Sequence, residues 1–530
     1  MTGPGPTPGM GAAAALRRVL LAALVALALG GPPAWAQPQP PGGFGTVGAA
    51  SVFSAALAFI APRTIEAVTV PQLTLWGLHG VTALDAALTV QLRDGAIALD
   101  VGGRAQFQRG APPLPTADTW GAAAADVFAA AWDASPALRQ AGTQGLVASF
   151  FDEVFNHLDP YSRYVPPGAA DQDRARRSGE AGAGMTVARR GAALVVTNVN
   201  ADGPAGQAGI TVGDRLVAID GEALRNEGAE AAMRLLAGDE GTVVALTVRG
   251  RDGRTRRVDV ERAVTPPETV FAQRSGDALM VRIAGFSADT GLRLEQELDV
   301  AFGSAVPPAR RPAGLVLDLR GNRGGLLRQA VEAADLLMSS GLIVVTEGRN
   351  PNADHRWAAS TSDVTGGVPV VVLVDGRSAS AAEILAAALA DNGRAVTVGS
   401  STLGKGLVQT VTTLPDGGEL FVTWSRVLAP RGWPIQGLGV LPQVCTSLGP
   451  DALAQQLASL DHGTLTLQAA LERHLAARVP VPPAAIVDQR TACPAGEPRD
   501  ADLLAARYLL AHPAAYAAAR LLPAQAQAAQ

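Results

Sequence analysis

At 530 residues the chain is too long for one ordinary hydrophobic core, so several domains are expected. Apolar residues make up 48% and charged residues 17%, a globular composition that excludes an intrinsically disordered polymer. A net charge of −5 leaves no electrostatic footprint for nucleic acid.

In chain order, Arg17-Arg18 precede an apolar run from Val19 to Leu29, then Ala34-Trp35-Ala36, a small-x-small cleavage signature before Gln37. The run is shorter than the roughly 20 residues a transmembrane helix needs. Residues 1–36 therefore read as a cleaved export signal, leaving a periplasmic protein with no membrane span. The bulky apolar residues that a twin-arginine signal places after its arginines are absent. A Pro/Gly linker, Gln37 to Phe44, opens residues 37–118, for which no role is read. A helix is expected near Leu73 to Leu88, and alternation from Leu88 to Val101 predicts a hairpin turning at Asp94-Gly95. Residues 119–178 carry helices from about Trp120 to Leu158, closed by the turn His157-Leu158-Asp159-Pro160-Tyr161-Ser162-Arg163-Tyr164.

Residues 179–264 change to short strands punctuated by glycine, with a turn at Asp220-Gly221 and one helix from about Glu227 to Leu236. From 265 to 447 strands and helices alternate. Strands are expected at Ala278–Ile283, Gly314–Leu319, Val368–Val374 and Ala395–Val398, and helices at Gly291–Phe302, Leu326–Leu337 and Ala381–Ala390. Uniformly apolar strands of this kind belong to a buried, mostly parallel sheet in an α/β core. Residues 448–530 are Ala-rich and helical. The two cysteines, Cys445 and Cys493, lack metal-ligand spacing, and their pairing is open in the sequence.

The cations are 42 arginines and one lysine, Lys405, in a glycine-flanked turn. Arginine stays charged in proteins, whereas a desolvated lysine amine can lose its proton and act as a base. One candidate for it to activate is Ser380, where the strand ending at Val374 turns into a helix through D-G-R-S-A-S-A-A-E. Unpaired N–H groups at that helix start can receive an oxyanion. On local sequence alone Ser380 reads first as a helix cap and only second as a nucleophile. Lys405 follows one helix and one strand later, and Gln409, four residues on, can hold an amine or can be a half-exposed strand residue. No histidine lies between His355 and His462.

The run R-S-A-S-A-A-E-I-L-A-A-A-L-A-D-N-G-R-A through G-K-G-L-V-Q resembles the C-terminal processing (tail-specific) peptidases, Ser-Lys serine proteases. The resemblance extends to L-V-L-D-L-R-G-N-R-G-G-L-L, V-R-I-A-G-F, P-R-G-W-P-I-Q-G-L-G-V-L-P and H-L-D-P-Y-S-R-Y, about residues 120–447. It implies a ClpP/crotonase-like α/β core with an inserted, mostly β PDZ domain at 179–264, and helical N- and C-terminal segments. Ser380 would be the nucleophile, Lys405 the base and Gln409 its orienting partner. The N–H groups of Gly324 and Ala381 would form the oxyanion hole, and Glu383 would give structural support. Ala382, Ser400 and Arg377 depart from the family pattern. The resemblance further implies that Gly182, Ala183, Gly184 and Met185 hold a peptide carboxylate and edge strand, with Met233 and Leu236 facing the groove; both are also plausible core residues.

The expected activity is an exported endopeptidase acting on proteins with apolar C-termini, with no metal or other cofactor. An adaptor or lipoprotein partner is a family possibility. Rivals are a catalytically silent PDZ scaffold, disfavoured by the intact Ser380, Lys405 and Gln409, and a crotonase-like acyl-CoA enzyme, disfavoured by the export signal and the PDZ unit.

Overall fold

The computed structural model describes residues 43–200, 203–224 and 227–521. Residues 1–36, expected to be an export signal, lie outside them. Among the described residues no helix is long and apolar enough to cross a membrane.

The N-terminal part is held by one aromatic cluster. Helices Thr46–Ile60, Ala117–Ala134 and Pro136–Asn156 bury Phe53, Phe128, Phe150 and Phe151 against one another. The Phe53 and Phe150 rings lie 4.3 Å apart. Thr116 and Ser135 cap the last two helices through their hydroxyls. The helix expected over Leu73–Leu88 is shorter, Val70–Leu78 followed by Gly80–Leu84. Leu88 instead begins a strand, where alternation wins over the helical pattern. The hairpin turns at Asp94-Gly95 as expected, with positive φ at both residues. A third strand, Arg104–Gly110, completes that sheet. Leu414, Leu420 and Val422, from a hairpin far along the chain, belong to the same cluster, so the N-terminal helices pack onto the later α/β part.

The glycine-punctuated segment forms an antiparallel sheet with the main strand order Thr255–Glu261, Val243–Arg249, Arg215–Ile219, Ala193–Val199, Met185–Arg190. Strand Met185–Arg190 is its edge. Helix Ala229–Leu236 lies beside it and buries Ala232 and Leu236.

The α/β core has a six-stranded sheet in the order Val270–Ser275, Ala278–Ile283, Gly314–Asp318, Val370–Val374, Ala395–Gly399, Val444–Cys445. All neighbours after the first antiparallel pair are parallel. Every residue of Gly314–Asp318, Val370–Val374 and Ala395–Gly399 is buried, because the sheet is covered on both faces. One face carries helices Thr290–Phe302, Leu327–Asp335 and Ala381–Asp391. The other carries the C-terminal helices, with Leu509 and Tyr516 packed on Val371 and Val396. A second, antiparallel sheet includes Leu342–Gly348, Glu419–Leu428 and Leu407–Thr413, and the strand Arg163–Val165 joins it at Glu419–Phe421.

Candidate active site

Strand Val370–Val374 ends at the centre of the parallel sheet, and the chain turns through Asp375–Ala379 into helix Ala381–Asp391. The buried Asp375 carboxylate shapes this turn by accepting the N–H groups of Gly321, Arg377 and Ser378 at about 3 Å. It thereby ties the G-N-R-G-G loop to the Ser380 turn. Ser380 sits at the helix start with φ +57° and ψ −117°, a conformation costly for a side-chain-bearing residue. Its backbone is held there by the helix itself. The Ser380 N–H donates to Glu383 (2.7 Å), while the Ser380 carbonyl accepts the N–H of Glu383 and Ile384.

Glu383 is fully buried and is the hub of the site. One carboxylate oxygen accepts the N–H of Ser380 and of Lys405 (2.9 Å). The other accepts the Thr402 hydroxyl (2.5 Å) and the Gly404 N–H (2.6 Å). Burial pushes the Glu383 carboxyl above its usual range, and the four hydrogen bonds oppose that shift. Glu383, expected to give structural support, joins the Ser380 turn to the Lys405 loop. A Glu three residues after a helix-capping Ser is the legible signal for such a link.

Lys405 is half-buried. Burial lowers its pKa below the ordinary lysine value, the nearby positive charge of Arg163 lowers it further, and Glu383 acts in the opposite direction. Its ammonium atom lies 5.1 Å from the centre of the Tyr161 ring. Tyr161 and Arg163 come from the H-L-D-P-Y-S-R-Y turn, more than two hundred residues upstream. Asp159 folds that turn by accepting the N–H groups of Tyr161 and Ser162, and it also accepts the Thr423 hydroxyl (2.7 Å). The Ser162 hydroxyl in turn accepts the Thr423 N–H (2.9 Å).

Gln409 differs from expectation. Its amide nitrogen donates to the Leu407 carbonyl and the Thr423 hydroxyl, both at 3.1 Å, and no hydrogen bond to Lys405 occurs among the described residues. The cause is register: Gln409 pairs directly with Thr423 across the two strands, beside an irregularity at Val408. It therefore joins the Thr423–Asp159 network behind the lysine.

Gly324 approaches Ser380 so closely that an added Cβ would stand 2.8 Å from the Ser380 Cβ and 3.0 Å from the Ala381 nitrogen. Its φ of +92° also demands glycine. However, its N–H donates to the Asn322 side chain (2.8 Å). Asn322 is itself fixed, donating to the Ile283 carbonyl. The expected oxyanion pair, Gly324 and Ala381, is thus adjacent, but the Gly324 donor is engaged.

Gly182, Ala183, Gly184, Met185, Met233 and Leu236 line a single cavity of about 330 Å³. Leu236 and Met185 are nearly buried, so each also serves as core. Core residues Asp289 and Arg293 form part of the same wall, and Arg293 reaches the Asn200 side chain (2.7 Å). Asn200 donates its N–H to the Gly184 carbonyl.

Cys445 and Cys493 form a disulfide, and no free cysteine remains. The segment following Cys493 lies over the Ser380 turn: Gly376 donates to the Gly496 carbonyl (2.8 Å), Gly496 donates to the Ser400 hydroxyl (2.9 Å), and Arg377 pairs with Glu497 (3.2 Å). No group of three or more His, Cys, Asp or Glu side chains suited to a metal ion occurs among the described residues.

An α/β core that presents a serine at a strained strand-to-helix turn, beside an antiparallel β domain with an open edge strand and a cavity next to it, has the make-up of a serine-type peptidase. Residues 277–446 match the family described as Peptidase family S41, and residues 195–250 match a PDZ domain. The carboxy-terminal-processing protease of Bartonella bacilliformis is 34% identical over 304 residues, spanning 57% of this chain and 69% of that protein. The carboxyl-terminal-processing protease of a Picosynechococcus species is 34% identical over 332 residues, spanning 59% and 75%. A solved photosystem II D1 C-terminal processing protease aligns with 25% identity over 72% of this chain and 97% of its own, at a TM-score of 0.35. The chain belongs to the carboxy-terminal processing proteases of peptidase family S41.

Proposed function

We propose that this serine peptidase works with Ser380 as nucleophile and Lys405 as general base, on proteins whose C-terminal tails are held in the PDZ groove. One observation carries the reading: the buried Glu383 carboxylate accepts the backbone N–H of both residues, drawing the exceptional serine and the sole lysine around one hub. A half-buried amine with a lowered pKa has a lone pair available nearer neutrality. It takes the Ser380 proton as the hydroxyl attacks a peptide carbonyl, then returns a proton to the leaving amine. Water repeats the sequence on the acyl-enzyme. The Ala381 N–H receives the oxyanion, and the Gly324 N–H adds to it when substrate draws it from Asn322. Gln409, through Thr423, steadies the strand that follows the lysine.

Recognition of the tail would use Gly182 to Met185 as carboxylate loop and edge strand, with the tail added to the sheet by β-augmentation and its last side chain near Met233 and Leu236. An apolar last residue suits that lining. The export signal at 1–36 supports a periplasmic location, and the division at 37–118, 119–178, 179–264, 265–447 and 448–530 describes the mature chain. An adaptor or lipoprotein partner would act by delivering substrates to this groove.

The deciding experiment incubates a model protein bearing an apolar tail with the unsubstituted chain, Ser380→Ala and Lys405→Arg. Both variants are expected to lose at least about a hundredfold in kcat while still binding the tail, because Arg keeps a charge and cannot serve as base. The rate should rise with pH as Lys405 deprotonates, with its midpoint below the ordinary lysine value. Undiminished cleavage by the Arg variant would refute the base, and tail binding with no cleavage by the unsubstituted chain would favour a silent scaffold.

A further inference from the structure

Arg490 lies outside the residues matched by the peptidase family, on helix Pro483–Thr491 of the C-terminal region. Its guanidinium is nonetheless inserted at the foot of the lysine loop. It donates to the Thr402 carbonyl (2.8 Å), the Leu438 carbonyl (3.0 Å) and the Gly437 carbonyl (3.3 Å). Thr402 is the residue whose hydroxyl caps Glu383, and Gly437 donates its N–H to the Gly404 carbonyl beside Lys405 (2.9 Å). One planar cation thus fastens the start of the loop that presents the lysine to the Gly437–Leu438 segment beside it, a geometry that a guanidinium's fixed donors suit better than a point charge. The same guanidinium interacts electrostatically with Glu383.

We propose that Arg490 is a positioning residue for the general base: it clamps the Lys405 loop onto Glu383 and supplies the cation that balances this buried carboxylate, so that Lys405 need not. The proposal rests on the Ser380–Lys405 reading. Without a second cation, the Glu383 charge would stabilise the ammonium form of Lys405 and withhold its lone pair. The groups that bear on this balance are Glu383 on helix Ala381–Asp391, Arg163 on strand Arg163–Val165, and the neighbouring Tyr161 ring. His474 on helix Gln468–Leu475 faces Arg490, which together with burial holds that imidazole down at about 4, mainly through burial. His474 is therefore neutral near pH 7 and adds no charge.

The single lysine makes the test direct. The full chain, labelled with carbon-13 at the lysine side chain and carrying Ser380→Ala to prevent self-cleavage, gives one side-chain lysine signal to titrate. Arg490→Met is expected to move that midpoint upward by about one pH unit. In the active chain the same substitution should shift the acidic limb of the kcat profile upward by the same amount, with KM for the tail little changed. Arg490→Lys keeps the charge, and is expected to hold the midpoint within about 0.3 units while lowering kcat through a looser loop. Unchanged midpoints in both variants, with activity lost only in step with thermal unfolding, would overturn the proposal. A Lys405 that titrates at the ordinary lysine value in the parent chain, together with cleavage by Lys405→Arg, would instead overturn the base assignment itself.

Discussion

Four donors converge on Glu383, and this makes it the residue on which the site geometry depends. Glu383→Gln replaces one acceptor oxygen with an NH2 group that must face N–H or O–H donors. Each buried donor left without an acceptor costs roughly 1–3 kcal/mol. The expected outcome is a lowered urea midpoint together with a kcat loss of about a hundredfold at unchanged tail affinity, since misplacement by about 1 Å has that effect. Kinetics on the fraction still folded would check it, and retention of full kcat would show that the hub is dispensable. The sequence marked Ser380 and Lys405 by position and by rarity. It could not show that Gln409 bonds Thr423, because register across a bulged strand pair is a long-range outcome. Nor could it reveal Asn322 on the Gly324 amide.

At the scale of elements, the C-terminal segment after Cys493 is a strap over the Ser380 turn. Two residues that depart from the family pattern, Arg377 and Ser400, are contact points of this strap, meeting Glu497 and Gly496. Their departure thus has a local partner. The disulfide closes a loop with a sequence separation of 48 residues. Replacing both Cys445 and Cys493 by serine is expected to lower stability by about 4 kcal/mol in the chain-entropy model. Peptidase activity should then fall at temperatures where the parent chain is still fully active. Parallel urea melts and activity–temperature curves measure both. The strand and helix order of the core was legible because its strands are short, uniformly apolar and separated by amphipathic helices. The helix end at Leu78 was less so, since Leu88 to Val101 prefers pairing across a sheet.

In the whole molecule, three distant stretches meet around the candidate site. The Asp159–Arg163 turn, the Ser380–Lys405 segment and the Arg490 helix all contribute, while the cavity beside Gly182–Met185 is walled by both the PDZ sheet and core residues Asp289 and Arg293. Tail recognition through a carboxylate loop predicts that amidating the C-terminus of an apolar-tailed substrate raises KM at least about tenfold, the equivalent of losing one charge-assisted contact. Equal KM for acid and amide would exclude the loop as the anchor.

The sequence alone determined the order of the core elements and its α/β class, and it singled out a serine at a strand-to-helix turn and the sole lysine. These are matters of periodicity, turn composition and the distinct acid–base behaviour of lysine among arginines. Only tertiary structure decided what surrounds that lysine, a buried carboxylate and an upstream arginine, and that a downstream arginine, Arg490, holds the start of its loop at Thr402. Burial and charge at a point depend on which segments pack there, and no local pattern brings Arg163 and Glu383 to Lys405 or Arg490 to Thr402.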